Sequence, residues 1–407
     1  NKSKVKPIIA SPGKPVRSAG GPARISYELI KHLVSDLEGD GIAYLDLSVG
    51  NKYIFRSRSE LERVATESYS SPSSLRKLLK AFLGALGVTA VADLTRKAQY
   101  KLTAYRISRQ VAREPGHLLH VHGISPAIAD VSLPNLPIIW TEHSKGSALR
   151  ELHMLFNKIP QGEVASSLKR AYLKMLSEAS LITFPSLSAV QLFEEYTGWE
   201  VPKERLRIVY NGIPDPLAQY PDLSITEENQ DRALAVTVAQ HVPEKGLDIA
   251  LEALVRSGRP WKWLVIGQET PWTKQLKELI RQRSKEIEIE LLGPLAHKDV
   301  LRVLRRCQVA VFTQRVAIFD LAILEAMALG KPIVATRVGG NIEALGDTNP
   351  LLGEDVDQLA SALQRVYDDL TIAREVGQRN RERFLKSFTI AAMIQAYNAL
   401  YRHVAFR

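Results

Sequence analysis

The stretch Arg315-Val-Ala-Ile-Phe-Asp320-Leu-Ala-Ile-Leu-Glu325-Ala-Met-Ala-Leu-Gly330-Lys-Pro-Ile-Val-Ala-Thr336-Arg-Val-Gly339-Gly340-Asn-Ile-Glu343 decides the fold. A loop enters a helix with Asp320 near its start, the helix ends at Gly330, and a strand, Pro332–Thr336, follows directly. Acidic caps and terminal glycines are the ordinary helix boundaries, and short β-branched runs are strands. Glu325 stands alone among Leu321, Ile323, Leu324, Met327 and Leu329. A carboxylate there is costly unless it binds something. Two ribose hydroxyls are suitable donors, and an internal basic partner is the alternative.

The same rhythm extends outward. Ala233–Ala239, Trp263–Ile266, Ile287–Leu292 and Val309–Phe312 read as strands separated by helical patterns, and helices close the chain across 355–380 and 389–404. In the first half, Lys6–Ala10, Ile42–Val49, Leu118–His122, Pro137–Thr141, Leu181–Phe184 and Leu206–Tyr210 are strands, with a helix on Ile25, Leu29 and Leu33. Residues 50–110 break the alternation and read as a helical, basic insertion. Asn211-Gly212 and Pro214-Asp215-Pro216 form a turn cluster, and a polar, linker-like stretch follows to Gln230. Two consecutive βα series predict an α/β protein with two doubly wound, Rossmann-like domains, 1–215 and 216–388. A C-terminal helix, 389–407, is expected to return to the first domain. Ligands of such sheets bind beyond the carboxyl ends of the strands, so two facing domains would put the site in the cleft between them.

A length of 407 residues suits two domains. With 45% hydrophobic and 24% charged residues, a disordered or multi-span membrane chain is excluded. Cys307 is the one cysteine, which excludes an intrachain disulfide and a Cys-rich zinc site and points to a reducing cytoplasm. No signal-peptide or membrane-spanning segment is expected, so any membrane contact comes from the surface. The net charge of +10 is uneven: residues 1–215 carry 29 basic and 20 acidic side chains. Within 74–110, Arg76, Lys77, Lys80, Arg96, Lys97, Lys101, Arg106 and Arg109 are opposed only by Asp93. Leu75, Leu78, Leu79 and Phe82 give that run one apolar helical face flanked by Arg76, Lys77 and Lys80. The pattern fits a surface lying on an anionic membrane, and also a core helix with a solvated basic edge. No zinc finger, RNP-like string or Gly-Lys phosphate loop points to nucleic acid.

Other motifs fall between strands and helices. Gly20-Gly21, after the first strand, would let backbone N–H groups approach a phosphate, or form a plain turn. Lys245, in Val242-Pro-Glu-Lys245-Gly-Leu-Asp248, sits where a cation could hold a diphosphate, or be a solvated first-turn lysine. His120 and His122 lie two apart on a strand and share a face. His122 is nearer the strand's carboxyl end.

Taken together, the chain resembles the large retaining glycosyltransferase family 4, the "group 1" glycosyltransferases of GT-B fold, of bacterial type. The string Leu-Glu325-Ala-Met-Ala-Leu-Gly-Lys-Pro-Ile-Val-Ala-Thr-x-Val-Gly-Gly carries the resemblance. It is supported in order by Gly20-Gly21, His120-Val-His122-Gly123, Thr141-Glu-His143, Val209-Tyr-Asn211-Gly212-Ile, the Lys245 motif and Leu292-Gly293-Pro-Leu295. The resemblance implies that Glu325 binds the ribose of a UDP- or GDP-linked sugar and Lys245 its diphosphate. Gly20 and Gly21 would admit the phosphates and sugar, Leu321 and Ala322 would offer backbone N–H to the diphosphate, and Leu295 would lie beside the base. His143 would point at the transferred sugar, with His122 nearby. No cofactor and no metal are expected. Two positions depart from the family: Ala317 stands where a glutamate is common, and Gln240 where an arginine is common. Asp320 is the candidate to replace the carboxylate, the alternative being a plain helix cap; Arg315, Lys145 and Arg150 are the candidates to replace the cation. The implied activity is retaining transfer to a polysaccharide or lipid-linked acceptor of exopolysaccharide, capsule or lipopolysaccharide synthesis. It would take place in the cytoplasm, on the inner face of the plasma membrane. The alternatives are a non-catalytic partner subunit of an active transferase and a sugar-nucleotide epimerase.

Overall fold

The computed structural model describes residues 7–11, 22–36, 42–47, 51–66, 89–111, 117–123, 128, 131, 136–144, 146–147, 163–223, 231–283 and 286–405. Gly20, Gly21, Arg76, Lys77, Lys80, Lys145 and Arg150 lie outside the described residues. The chain divides into two compact units. The first takes in the described residues up to Phe184, Val190–Val209 and the chain from Ile394 on. The second takes in Pro185–Ala189 and Tyr210–Met393.

The first unit is built on strands β1 (Pro7–Ser11), β2 (Ile42–Asp46), β3 (Asn51–Phe55), β4 (Leu118–His122), β5 (Ile138–Thr141), β6 (Leu181–Phe184) and β7 (Leu206–Ile208). Their order is β3-β2-β1-β4-β5-β6-β7. β1, β4, β5 and β6 are buried throughout, as parallel strands covered on both faces must be. The order reverses between β1 and β4, so the connections leaving these neighbours part there. β3 corrects the sequence reading, which placed Asn51–Phe55 in a helical insertion. It is an antiparallel edge strand with Tyr53 opposite Tyr44 and its ring stacked 6.2 Å from Phe55. Cross-strand aromatic pairing holds it, and Lys52 is the kind of charge that blunts an edge. Helices Arg58–Thr66 and Thr89–Val111 do follow it. On the latter, Thr103, Ala104, Ile107 and Val111 are buried, while Lys101, Leu102, Tyr105, Arg106 and Arg109 are exposed.

The second unit carries β8 (Leu234–Val238), β9 (Lys262–Ile266), β10 (Glu288–Gly293), β11 (Val309–Phe312), β12 (Ile333–Thr336) and β13 (Leu352–Gly353). They form a wholly parallel sheet in the order β10-β9-β8-β11-β12-β13. Trp261, Trp263, Leu254, Val311, Leu363 and Val366 anchor its core. The Trp263 indole donates to the Thr237 hydroxyl at 2.9 Å, which donates to the Val311 carbonyl at 2.9 Å, tying β9, β8 and β11 together. The start of the polar stretch after Asp215 is structured rather than linker-like. Asp215 caps the short helix Pro216–Gln219 and takes the Arg381 guanidinium at 2.6 and 2.7 Å.

Candidate functional site

In the second unit the strand order reverses between β8 and β11, the place where a doubly wound sheet opens a crevice at its carboxyl edge. Two connections leave from there. After β8 come a 3₁₀ turn, Pro243–Lys245, and the helix Leu247–Arg256. After β11 come residues 313–320 and the helix Leu321–Ala328.

These two connections are bonded to each other. Gly246 has φ +63°, and a Cβ there would lie 1.8 Å from the Thr313 carbonyl oxygen, so only glycine lets the chains approach. The Thr313 hydroxyl donates to the Gly246 carbonyl at 2.7 Å, and the Arg315 amide donates to the Glu244 carbonyl at 2.9 Å. The Arg315 guanidinium closes on Asp248 at 3.0 and 2.6 Å. Arg315, a candidate for the missing cation, is therefore engaged in bracing the Lys245 turn. Gly339-Gly340 plays the complementary part: a Cβ on Gly340 would lie 1.9 Å from the Ile318 carbonyl oxygen. The Gly340 amide donates to the Ala317 carbonyl at 2.9 Å. Ala317 is buried and holds this loop by its backbone, whereas Gln240 is exposed.

So fixed, Lys245 reaches Asp320 in an ion pair. Asp320 Oδ2 also accepts from Gln314 Nε2 at 3.0 Å, and Oδ1 accepts from the Ala322 amide at 3.0 Å, capping the helix. Burial works to raise the carboxyl's pKa, but the Lys245 ammonium and the three hydrogen bonds outweigh it and hold it below the usual range. Gln314 is itself oriented, since its Oε1 accepts from Asn341 Nδ2 at 3.2 Å. Further along the helix, Glu325 is 4% exposed and its Oε1 meets His297 Nε2 at 2.8 Å. His297 opens the helix His297–Arg306, and Leu295, 37% exposed, lies between it and the end of β10. The structure thus gathers Lys245, Asp320, Leu321 and Ala322 at one pair of strand ends, with Glu325 on the same helix. Sequence reasoning gave Gln314 no role, and from sequence His297 reads equally as a residue beside the cleft motifs or as a loop position. The signal for Gln314 was a polar side chain just beyond an apolar strand, and for His297 its place two residues after Leu295.

The first unit gathers histidines at the ends of β4 and β5. His122 Nδ1 and His143 Nε2 are 2.9 Å apart, and the His120 and His122 rings are 4.0 Å apart. His120 Nδ1 meets the Tyr401 hydroxyl and its Nε2 the Thr141 hydroxyl, each at 2.7 Å. Tyr397 and Tyr401, one helical turn apart, therefore fix the last part of the helix Ile390–Ala405 to β4. His122 Nε2 is buried without a hydrogen-bond partner among the described residues. Between Thr141 and His143, the Glu142 carboxylate accepts from the Ser144 amide at 3.0 Å and the Tyr172 hydroxyl at 3.2 Å, fixing the turn that carries His143.

Burial lowers the pKa of all three histidines, that of His143 to about 4. They are neutral in the fold, so below the ordinary value near 6.5 the unfolded chain binds protons that the folded chain refuses. Stability is then complete above roughly pH 6.5 and is lost as pH falls toward roughly pH 4. Melting temperature should drop by several degrees across that window, and His143→Gln should flatten the drop; an unchanged profile in that variant would contradict this assignment.

Comparison with known proteins decides the family. The description "Glycosyl transferases group 1" matches residues 222–383, and "Glycosyltransferase Family 4" matches residues 64–215. The chain belongs to the family 4, group 1 glycosyltransferases. An uncharacterized glycosyltransferase of Methanocaldococcus jannaschii is 26% identical over half of this chain and 55% of its own length. The family 4 chain thus spans about half the length of that relative. The alpha-D-kanosaminyltransferase of Streptomyces kanamyceticus is 20% identical over 92% of this chain and 99% of its own. The crystal structure of Anabaena Alr3699/HepE in complex with UDP superimposes with a TM-score of 0.67 at 16% identity, covering 98% of this chain and 100% of that one. This likeness shows the GT-B fold. Among the described residues no cluster of His, Cys, Asp or Glu is placed to hold a metal ion, and no helix is long and apolar enough to cross a membrane.

Proposed function

We propose that this family 4 chain is a retaining glycosyltransferase that moves a sugar from a UDP- or GDP-linked donor to a polysaccharide or lipid-linked acceptor. The observation that supports it is the placement of Lys245, the capped helix start at Leu321–Ala322 and the buried Glu325 at one reversal of strand order. Lys245 and the helix start take the diphosphate, and Glu325 takes the ribose hydroxyls, with Leu295 beside the base. The acceptor hydroxyl attacks on the face from which the diphosphate leaves. A diphosphate oxygen receives its proton, and Lys245 offsets the charge that grows on the leaving group. Asp320, rather than residue 317, is the carboxylate available to the transferred sugar. The UDP named with the Anabaena structure agrees with this donor class, and the name of the Streptomyces relative, alpha-D-kanosaminyltransferase, agrees with transfer of a sugar. Turnover of a panel of UDP- and GDP-sugars, with the anomeric configuration of the product read by NMR, tests the reading. An inverted product would refute retention.

Ala317, Gln240 and the engagement of Lys245 by Asp320 favour one other reading, a partner subunit that keeps the fold without turning over donor. Failure to bind any nucleotide at millimolar concentration would select it.

We assign the acceptor side to an anionic membrane surface. Leu102 and Tyr105 are 51% and 56% exposed on the helix Thr89–Val111, beside exposed Lys101, Arg106 and Arg109. An apolar pair ringed by cations suits a lipid headgroup layer. Sedimentation with phosphatidylglycerol-containing vesicles should show salt-sensitive binding that weakens several-fold in a Lys101→Gln, Arg106→Gln variant; equal binding by both proteins would remove this surface from the account.

A further inference from the structure

One carboxylate in the second unit is bonded to the groups that the proposed donor requires. Lys245 and the backbone N–H of Ala322 are the diphosphate ligands in the reading above, on which this inference rests. In the structure both are partners of Asp320: Lys245 of Oδ2 and the Ala322 amide of Oδ1 at 3.0 Å. Gln314 completes the set at 3.0 Å, aimed by Asn341. A short anion held by an ammonium and a helix amide reproduces what a phosphate would receive there.

We propose that Asp320 is a resident anion that competes with the donor's diphosphate for Lys245 and the start of the helix Leu321–Ala328, and thereby sets the chain's affinity for nucleoside diphosphates. Two anions cannot both take the full charge of one ammonium. As a diphosphate arrives, the carboxylate gives up Lys245. It yields the Ala322 amide as well, stays within reach of Gln314, and its freed oxygen is then available to the hydroxyls of the transferred sugar. A nucleotide sugar compensates the displaced carboxylate, while the nucleoside diphosphate left after transfer does not. The pair therefore weakens product relative to donor and favours product release.

The test is calorimetric titration of the full chain, its Asp320→Asn variant and its Asp320→Gly variant with UDP and with GDP. Asparagine keeps the volume and the capping oxygen, and glycine is tolerated at this cap, so both variants are expected to fold. A charge-assisted hydrogen bond to Lys245 is removed in each, so both should bind the nucleotide roughly 10- to 100-fold more tightly than the parent. A parent that binds too weakly to measure beside variants that bind supports the same conclusion. Binding by the parent with equal or weaker affinity in both folded variants overturns the inference and leaves the donor reading standing. No binding by any of the three proteins at millimolar UDP or GDP overturns the donor reading, and the inference with it.

Discussion

Glu325→Gln is expected to lower sugar transfer from a nucleotide sugar by about a hundredfold in kcat/KM, with little loss of thermal stability. Two hydrogen bonds from ribose hydroxyls to a charged acceptor are worth roughly 1.5–3 kcal/mol each against the neutral amide's smaller share, and roughly 1.4 kcal/mol is a decade of rate. Stability should change little because glutamine keeps the side chain's volume and a carbonyl oxygen for His297, which holds Oε1 at 2.8 Å. His297 is 44% exposed, so the pair is wet on one side, and His297→Ala should cost much less than the Glu325 change. If Glu325→Gln transfers sugar at the parental rate, the ribose is not held by this residue.

Gly246→Ala is expected to destabilise the second unit by roughly 2–4 kcal/mol, the sum of a left-handed non-glycine residue and an overpacked contact. The new methyl would sit 1.8 Å from the Thr313 carbonyl, and the backbone at φ +63° offers it no relief. The same shift would move Lys245, the preceding residue, so donor affinity should fall with the melting temperature. Gly258 supplies the control, with φ +62° but nothing within 4 Å of an added Cβ. Gly258→Ala should cost only the backbone part, about 1–2 kcal/mol, and leave nucleotide binding intact. Equal losses at the two glycines would show that the Gly246–Thr313 approach is unimportant.

The parts of this site that were legible in the sequence are those written in local pattern. Asp320 before an apolar run, Gly330 after it and a strand beyond give a helix whose bounds agree with the structure, and Glu325 declares itself as the one charge within it. Contacts between distant segments were not legible. His297 lies 28 residues from Glu325, Lys245 lies 75 from Asp320, and Tyr401 lies 281 from His120. The first two exist because parallel strands bring separate connections to the same edge, and the third because the last helix packs on β4, which no spacing encodes. β3 was missed because Asn51-Lys-Tyr-Ile-Phe has no alternation of polar and apolar residues. Its pairing depends on Tyr44 of the neighbouring strand. β13, two residues long, falls below the length at which a run of side chains carries a signal. The charge excess of the first half was visible in the composition. The structure adds that Leu102 and Tyr105 stand exposed among its cations, which composition cannot show.

The central claim is that the strand ends carrying Lys245 and Glu325 hold a nucleoside diphosphate sugar. Titration calorimetry of the parent chain and of Glu325→Gln against a panel of UDP- and GDP-linked sugars tests it most directly. The account predicts that at least one of these donors binds the parent with saturable heat and binds Glu325→Gln at least about tenfold more weakly. Saturable binding of equal affinity by the two proteins would contradict it, as would the absence of binding by the parent to every member of the panel.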